Sequence, residues 1–274
     1  MLKSRVITAV VLAAIAVALL FLLPSTAFTI VMAAIFLGVG GLEGATLAGL
    51  NGVPARIGWI AVLLGGGALA VWATHLEHAV GLLFGAATLL WIVLIPWLMF
   101  PDLGRAGAQR FQPLKLTVLG LILLSSFVAI SWLHFYSPWR VVFLVLVVAA
   151  ADIGAFFTGM NVGGPKLAPR ISPGKTWSGV GGGLVVAALV AVVAGHWIVD
   201  VPFSWLQAAI AALLLALISV CGDLLISLMK RHRNLKDTSS LLPGHGGLLD
   251  RIDGLAAAAP IYALMTWLSL TAVQ

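Results

Sequence analysis

Residues 204 to 226 read SWLQAAIAALLLALISVCGDLLI, an apolar stretch interrupted by a single carboxylate, Asp223. As an α-helix, about 20 such residues cross the hydrocarbon core of a bilayer. Eight more runs of this kind fall at roughly 7–23, 26–44, 58–74, 79–100, 115–133, 140–160, 179–197 and 252–272, so nine spans are expected. A transmembrane barrel would need short alternating segments, whereas these runs are continuously apolar. The fold class is therefore all-α, a polytopic helical integral membrane protein. Directly after 204–226 comes a polar island, residues 227–253, SLMKRHRNLKDTSSLLPGHGGLLDRID, which gathers basic residues, three carboxylates and a His-Gly-Gly turn. Chemistry is expected there.

Composition supports the membrane reading. With 62% hydrophobic and 9% charged residues and a mean hydropathy of +1.14, the chain does not suit a soluble globule with one core. The net charge of +6 follows membrane topology and implies no nucleic-acid partner. With the N-terminus cytoplasmic, fourteen of the fifteen Lys and Arg lie in inward segments and only Arg140 lies outside, while the outward turns carry Glu77, Asp200 and little other charge. This orients the chain N-in and C-out, in a bacterial inner membrane, with long cytoplasmic connections at 161–178 and 230–251. A cleavable signal peptide competes for the first run, but Leu23-Pro24-Ser25 leads at once into another apolar run, which favours a retained hairpin. One membrane domain is expected, with helices up to residue 135 as scaffold, dimer contact or lipid-facing part, and residues 140–274 carrying the catalytic helices and loops. The single Cys221 allows no intrachain disulfide.

Several features have ordinary explanations. Glu43, at the cytoplasmic edge of the second span, reads as an interfacial, solvated carboxylate. Gly65, Gly66 and Gly67, and Gly179 with Gly183, suit close helix packing. Trp91, Trp97, Trp132, Trp139, Trp177 and Trp197 read as interfacial belts. Lys115 belongs to a basic loop outside the chemistry, and its removal is expected to change the rate only a few-fold.

Asp152 is different, because an isolated carboxylate within a span costs about 2.5–3.5 kcal/mol on insertion scales. It should face a polar cavity or a partner. The following loop, NVGGPKLAPRISPGKTWS (161–178), breaks helices with Pro and Gly and spaces three cations along irregular backbone, as a phosphate-binding loop or an ordinary inward loop would. If span eight continues past the membrane, Asp223, Ser227, Lys230 and Arg231 share one stripe. Pro243-Gly244-His245-Gly246-Gly247 then turns the chain so that Asp250 and Asp253 stand at the mouth of span nine. Carboxylates interleaved with Lys and Arg suit Mg²⁺ bridging phosphate oxygens, and phosphoryl or nucleotidyl transfer is the reaction class. Such catalysis is mostly positioning and charge stabilisation, so no activated Ser or Cys is needed. His245 could act as a base, but binding phosphate or backbone is the favoured role. A zinc site is disfavoured by the lack of local Cys and of a second His at ligand spacing.

At these residues the chain resembles the phosphatidate cytidylyltransferases, or CDP-diacylglycerol synthases. Ser227, Lys230, Arg231, Lys236, Asp237, Ser239, His245, Gly246, Gly247, Asp250, Arg251 and Asp253 match that family's signature without a gap. An upstream block running from Asp152 through Gly154, Ala155 and Gly159 to Leu167, Pro169, Ser172, Pro173, Lys175, Thr176, Trp177 and Gly179 looks like its second conserved stretch. Two positions where the family commonly has Glu are Ile226 and Ser178 here.

The resemblance implies that the phosphate of phosphatidic acid attacks the α-phosphorus of CTP, releasing pyrophosphate and forming CDP-diacylglycerol at the cytoplasmic face among membrane lipids. It puts Asp223, Lys230, His245 and Asp250 at the catalytic centre and makes Asp223 and Asp250, then Asp253 and Asp237, the expected Mg²⁺ ligands. Lys175, Lys230, Arg231, Lys236 and Arg251 would counter the phosphates, Ser227 would sit among the substrate-binding residues, His245, Gly246 and Gly247 would shape the phosphate turn, and Asp152 would complete the cavity. A homodimer is implied too. The alternatives are a CTP-dependent enzyme with another lipid acceptor such as a polyprenol, a weakly active regulatory homologue, and an ion-coupled transporter.

Overall fold

The computed structural model describes residues 2–272 apart from Glu77, Ala108, Val199, Val201, Pro243 and His245, and for residues 2–9 and 12 it describes the backbone alone. Glu77, Pro243 and His245, singled out above, therefore lie outside the described residues. Nine long helices run through the described residues: α1 (Leu2–Leu22), α2 (Ser25–Ala48), α3 (Val53–Ala73), α4 (Ala79–Met99), α5 (Pro113–Tyr136), α6 (Pro138–Val162), α7 (Trp177–Trp197), α8 (Trp205–His232) and α9 (Leu249–Thr271). Eight, α2 to α9, are long and apolar enough to cross a membrane, and α1 adds the shorter apolar stretch Ala13–Leu22. This is an integral membrane protein of helices. Each expected span has its helix, and α8 does continue past residue 226, reaching His232.

Local chemistry sets the ends. Pro113 and Pro138 open α5 and α6, where a missing N–H costs no helical bond. Ser204 and Gln207 form a reciprocal capping box at the start of α8. The Thr176 side chain accepts from the Gly179 amide and begins α7. Inside α2, residues Ala33–Gly40 widen into a π-helical segment just before Glu43.

α5 is the central helix, packed by α2, α3, α4, α6 and α9, while α6, α7, α8 and α9 touch in succession. Lipid tails are as apolar as Leu, so close contact and hydrogen bonds hold such helices together. Gly222 shows how close α8 and α9 come: a Cβ there would lie 2.4 Å from the Asp253 carbonyl oxygen. Gly67, Gly179 and Gly183 also sit at helix contacts, whereas Gly65 meets nothing within 4 Å and faces open space.

Other details depart from expectation. Trp91 and Trp132 belong to the buried core, and Trp132 packs edge-on against Phe84 with ring centroids 5.7 Å apart. Span ends attract Trp, but so does any apolar interior large enough to hold the ring. Trp139, Trp177 and Trp197 are exposed at helix ends, as belts require. The loop after α6 is not irregular throughout: β1 (Lys166–Ala168) and β2 (Ser172–Thr176) form a small antiparallel hairpin, so part of its backbone pairs internally instead of facing anions. Arg140, the one cation expected to lie outside, is buried, and its Nε donates to the Asp200 carbonyl at 3.1 Å while Ser137 donates to the Asp200 carboxylate at 2.6 Å.

Candidate active site

At the opposite end of the bundle from Arg140, the connections after α2, α4, α6 and α8 converge. Gln112 N–H donates to the Ala48 carbonyl, Arg170 pairs with Asp102 at 2.7 Å, and Arg231 Nε donates to the Ile171 carbonyl at 3.3 Å. The last three turns of α8 supply the centre of this end. Asp223 pairs with Lys175 of β2 at 2.6 Å and accepts from Ser227, four residues on, at 3.1 Å. Asp152 of α6, Asp223 of α8 and Asp253 of α9 lie close enough to act on one another's charge. Tight packing of α8 on α9 at Gly222 holds the last two together.

Asp152, Lys166, Lys175 and Asp223 line one cavity of about 570 Å³. Its other wall is Phe156, Met160, Val180 and Val220, with Phe156 and Met160 on the outside of the helices where lipid would be. Polar and greasy chemistry thus share one space. Asp152, the isolated carboxylate of α6, stands on its polar side.

A second group lies two turns beyond Asp223 along α8. Lys230 Nζ meets Asp250 Oδ1 at 2.5 Å, and both side chains are largely buried. The other oxygen of Asp250 accepts from the Thr238 amide at 2.8 Å and the Gly247 amide at 3.0 Å, and lies 3.0 Å from the Thr238 hydroxyl oxygen. Asp250 stands in the first turn of α9, where a carboxylate complements the helix dipole and its unpaired N–H groups. Gly246 has φ +80° and its carbonyl accepts from the Leu242 amide at 2.8 Å, which closes the turn.

Glu43 belongs to this group, although it reads from sequence as solvated. It is 5% exposed. Its carboxylate accepts from Ser239 at 2.6 Å, from Thr238 at 2.8 Å, and from the Leu248 and Leu249 amides at 2.9 and 2.8 Å. The partners are about two hundred positions away in the chain, so no local pattern announces them. The one clue is that Glu43 is the only acidic residue among the first 76. Lys115 is another surprise: it is buried, donating to the Gly104 carbonyl at 3.0 Å with His232 Nδ1 at 2.9 Å, and so ties the α4–α5 loop to the end of α8.

Arg231 and Lys236 face a separate cleft of about 380 Å³, shared with Asp102, Arg105 and Arg170 at the tip of the hairpin. The Arg170 guanidinium, bonded to Asp102, holds that carboxyl below its usual range. Arg251 is exposed at the start of α9. The two positions where Glu is common differ in surroundings: Ile226 is packed in the apolar core, while Ser178 bonds the Gly163 carbonyl and Thr176 in the cap of α7.

As for Mg²⁺, among the described residues no three His, Cys, Asp or Glu side chains converge at ligand distance. Mg²⁺ usually takes one or two carboxylates and completes its shell with water and substrate phosphates. Asp223 and Asp253, oxygen donors near enough to act on one another's charge, fit that kind of partial site. Asp250 would join them only by giving up Lys230.

The fold and site define a membrane-embedded enzyme whose charged centre lies at one end of a helical bundle. The profile of the cytidylyltransferase family matches residues 3–269, and the chain belongs to that family. A phosphatidate cytidylyltransferase of Pseudomonas aeruginosa is 36% identical over 97% of both chains. One from Haemophilus influenzae is 33% identical over 96% of this chain and 98% of its own. One from Brucella suis is 52% identical over 132 residues, 45% of each chain.

Proposed function

We propose that the protein transfers the cytidylyl group of CTP to phosphatidic acid, giving CDP-diacylglycerol and pyrophosphate. The carrying observation is the cavity in which Lys166, Lys175, Asp152 and Asp223 face Phe156, Met160, Val180 and Val220. A phosphate carried on a diacylglycerol needs such a combination, with cations for the headgroup beside an apolar wall for the glycerol and chains. The names of the relatives support the same substrate.

In the reaction, a phosphate oxygen of phosphatidic acid forms a bond to the α-phosphorus of CTP. The bond from that phosphorus to the α–β bridging oxygen breaks, and pyrophosphate leaves with the electron pair. Little covalent work falls to the protein. Lys175 would hold the lipid phosphate, aimed by Asp223, which Ser227 in turn holds. Lys230, set by Asp250, would meet the charge that moves onto the leaving pyrophosphate. Arg231 and Lys236, in the neighbouring cleft, would take the outer phosphates, with Arg251, His245 and the Gly246-Gly247 turn around them. Mg²⁺ held by Asp223 and Asp253 would neutralise phosphate charge when bound. The site would face the cytoplasm of a bacterial inner membrane, where CTP is available and the basic loops are retained. A homodimer is part of the same reading, to be tested by crosslinking in native membranes.

The test is turnover of radiolabelled CTP with phosphatidic acid by the purified protein in detergent, with and without Mg²⁺, scoring lipid-extractable label. Mg²⁺-dependent CDP-diacylglycerol is the expected product. Folded protein that labels a polyprenol phosphate but not phosphatidic acid would overturn the substrate assignment.

A further inference from the structure

Glu43 sits on α2, well outside the segments that carry the charged signature, yet four donors converge on it. Two are the amides of Leu248 and Leu249, which begin α9 and have no partner within that helix. Two are the hydroxyls of Thr238 and Ser239, from the chain that leads into the turn. All four are neutral, so the carboxylate acts by fixing positions. Thr238 joins it to Asp250: one hydroxyl lies 2.8 Å from Glu43 and 3.0 Å from Asp250, and the Thr238 amide donates to Asp250 as well.

The surrounding backbone is shaped for this contact. A Cβ on Gly247 would lie 2.0 Å from the Thr238 hydroxyl and 2.6 Å from a Glu43 oxygen, so only glycine lets the three meet. The π-helical segment Ala33–Gly40 immediately precedes Glu43. Each extra residue in a turn rotates the remainder of the helix by about 100°, which decides the face Glu43 presents.

We propose that Glu43 is a positioning residue for nucleotidyl transfer: from α2 it clamps the start of α9 to the 238–239 segment and so sets Asp250 against Lys230. The inference rests on the function proposed above. It does not touch the Lys175–Asp223 cavity, and that separation makes it testable.

The experiment compares purified full-length wild type with Glu43→Gln, Glu43→Asp and Thr238→Val in the CTP and phosphatidic acid assay, normalised to folded, monodisperse protein. Hydrogen exchange at the Leu248 and Leu249 amides is followed in parallel. Glu43→Gln removes one acceptor oxygen and turns an NH₂ toward donors. Its kcat should fall about 10- to 100-fold, as for other residues that orient a reacting group, with KM for the lipid within about twofold of wild type. Glu43→Asp keeps both acceptor oxygens and should recover part of the loss. Thr238→Val should also lower kcat, and its effect should not multiply with that of Glu43→Gln, because both break one linkage. Wild-type kcat in folded Glu43→Gln would overturn the proposal, as would losses in the two variants that multiply independently. Should Glu43→Gln fail to fold, wild-type kcat in Thr238→Val overturns it by itself. If wild type makes no product, the function assignment fails; the clamp is then upheld by faster exchange at Leu248 and Leu249 in Glu43→Gln and overturned by unchanged exchange.

Discussion

The two ends of the bundle both bury charge, and they do so differently. At one end Arg140 is alone among the cations: its Nε donates to the Asp200 carbonyl, Tyr136 lies 5.3 Å below the guanidinium, and its Nη1 has no hydrogen-bond partner among the described residues. At the other end Asp152 and Asp223 line a cavity with fewer fixed partners than their oxygens can accept, and Asp253 lies near enough to act on their charge. A lone cation against a backbone carbonyl and a ring face has no second charged group with which to work on a ligand. Carboxylates held together beside open space store unmet charge, which a metal or a cationic lysine bearing a phosphate can use.

Substitutions at the two ends should therefore part company. Asp223→Asn and Asp250→Asn should each lower turnover by at least about a hundredfold while leaving the protein monodisperse in detergent; wild-type rates in either would erase the contrast. Gly247→Ala comes next, because the added methyl must displace Thr238 or Glu43, and a loss of about 10-fold in kcat is expected at unchanged expression. Lys115→Met sits between the two kinds of site. It leaves His232 Nδ1 and the Gly104 carbonyl without the Lys115 ammonium, so a melting temperature lowered by the equivalent of about 1–3 kcal/mol is expected, with turnover changed only a few-fold. Arg140→Met should matter least to chemistry, with turnover within about twofold of wild type because the two ends share no partners. A large activity loss there, in folded protein, would mean that the ends are coupled.

The helices were legible because length and apolarity are local and additive: a run of about 20 apolar residues has few other fates in a chain this greasy. The stripe of Asp223, Ser227 and Lys230 was legible for a related reason, since helical periodicity alone puts them on one face. The hairpin at 166–176 was not, because its strands are only three and five residues long, the second carries a Pro and a Gly, and they pair only when the flanking helices fix their ends. Trp91 and Trp132 were misplaced because an aromatic near a span end has the same local sequence whether it meets headgroups or a neighbouring helix.

Sequence alone determined that this chain crosses the membrane as helices, that its charge gathers on one side, and that its carboxylates and cations suit phosphate chemistry. Each of these follows from residue type and spacing within a single segment. Tertiary structure decided which charges meet. Lys175 reached Asp223, Lys230 reached Asp250, and Glu43 came to hold the start of α9 across some two hundred residues. Those pairings depend on the approach of helices that are distant in the chain, set by glycine contacts and by the phase of a widened turn, and no local property of Glu43 distinguishes a buried clamp from a solvated surface acid.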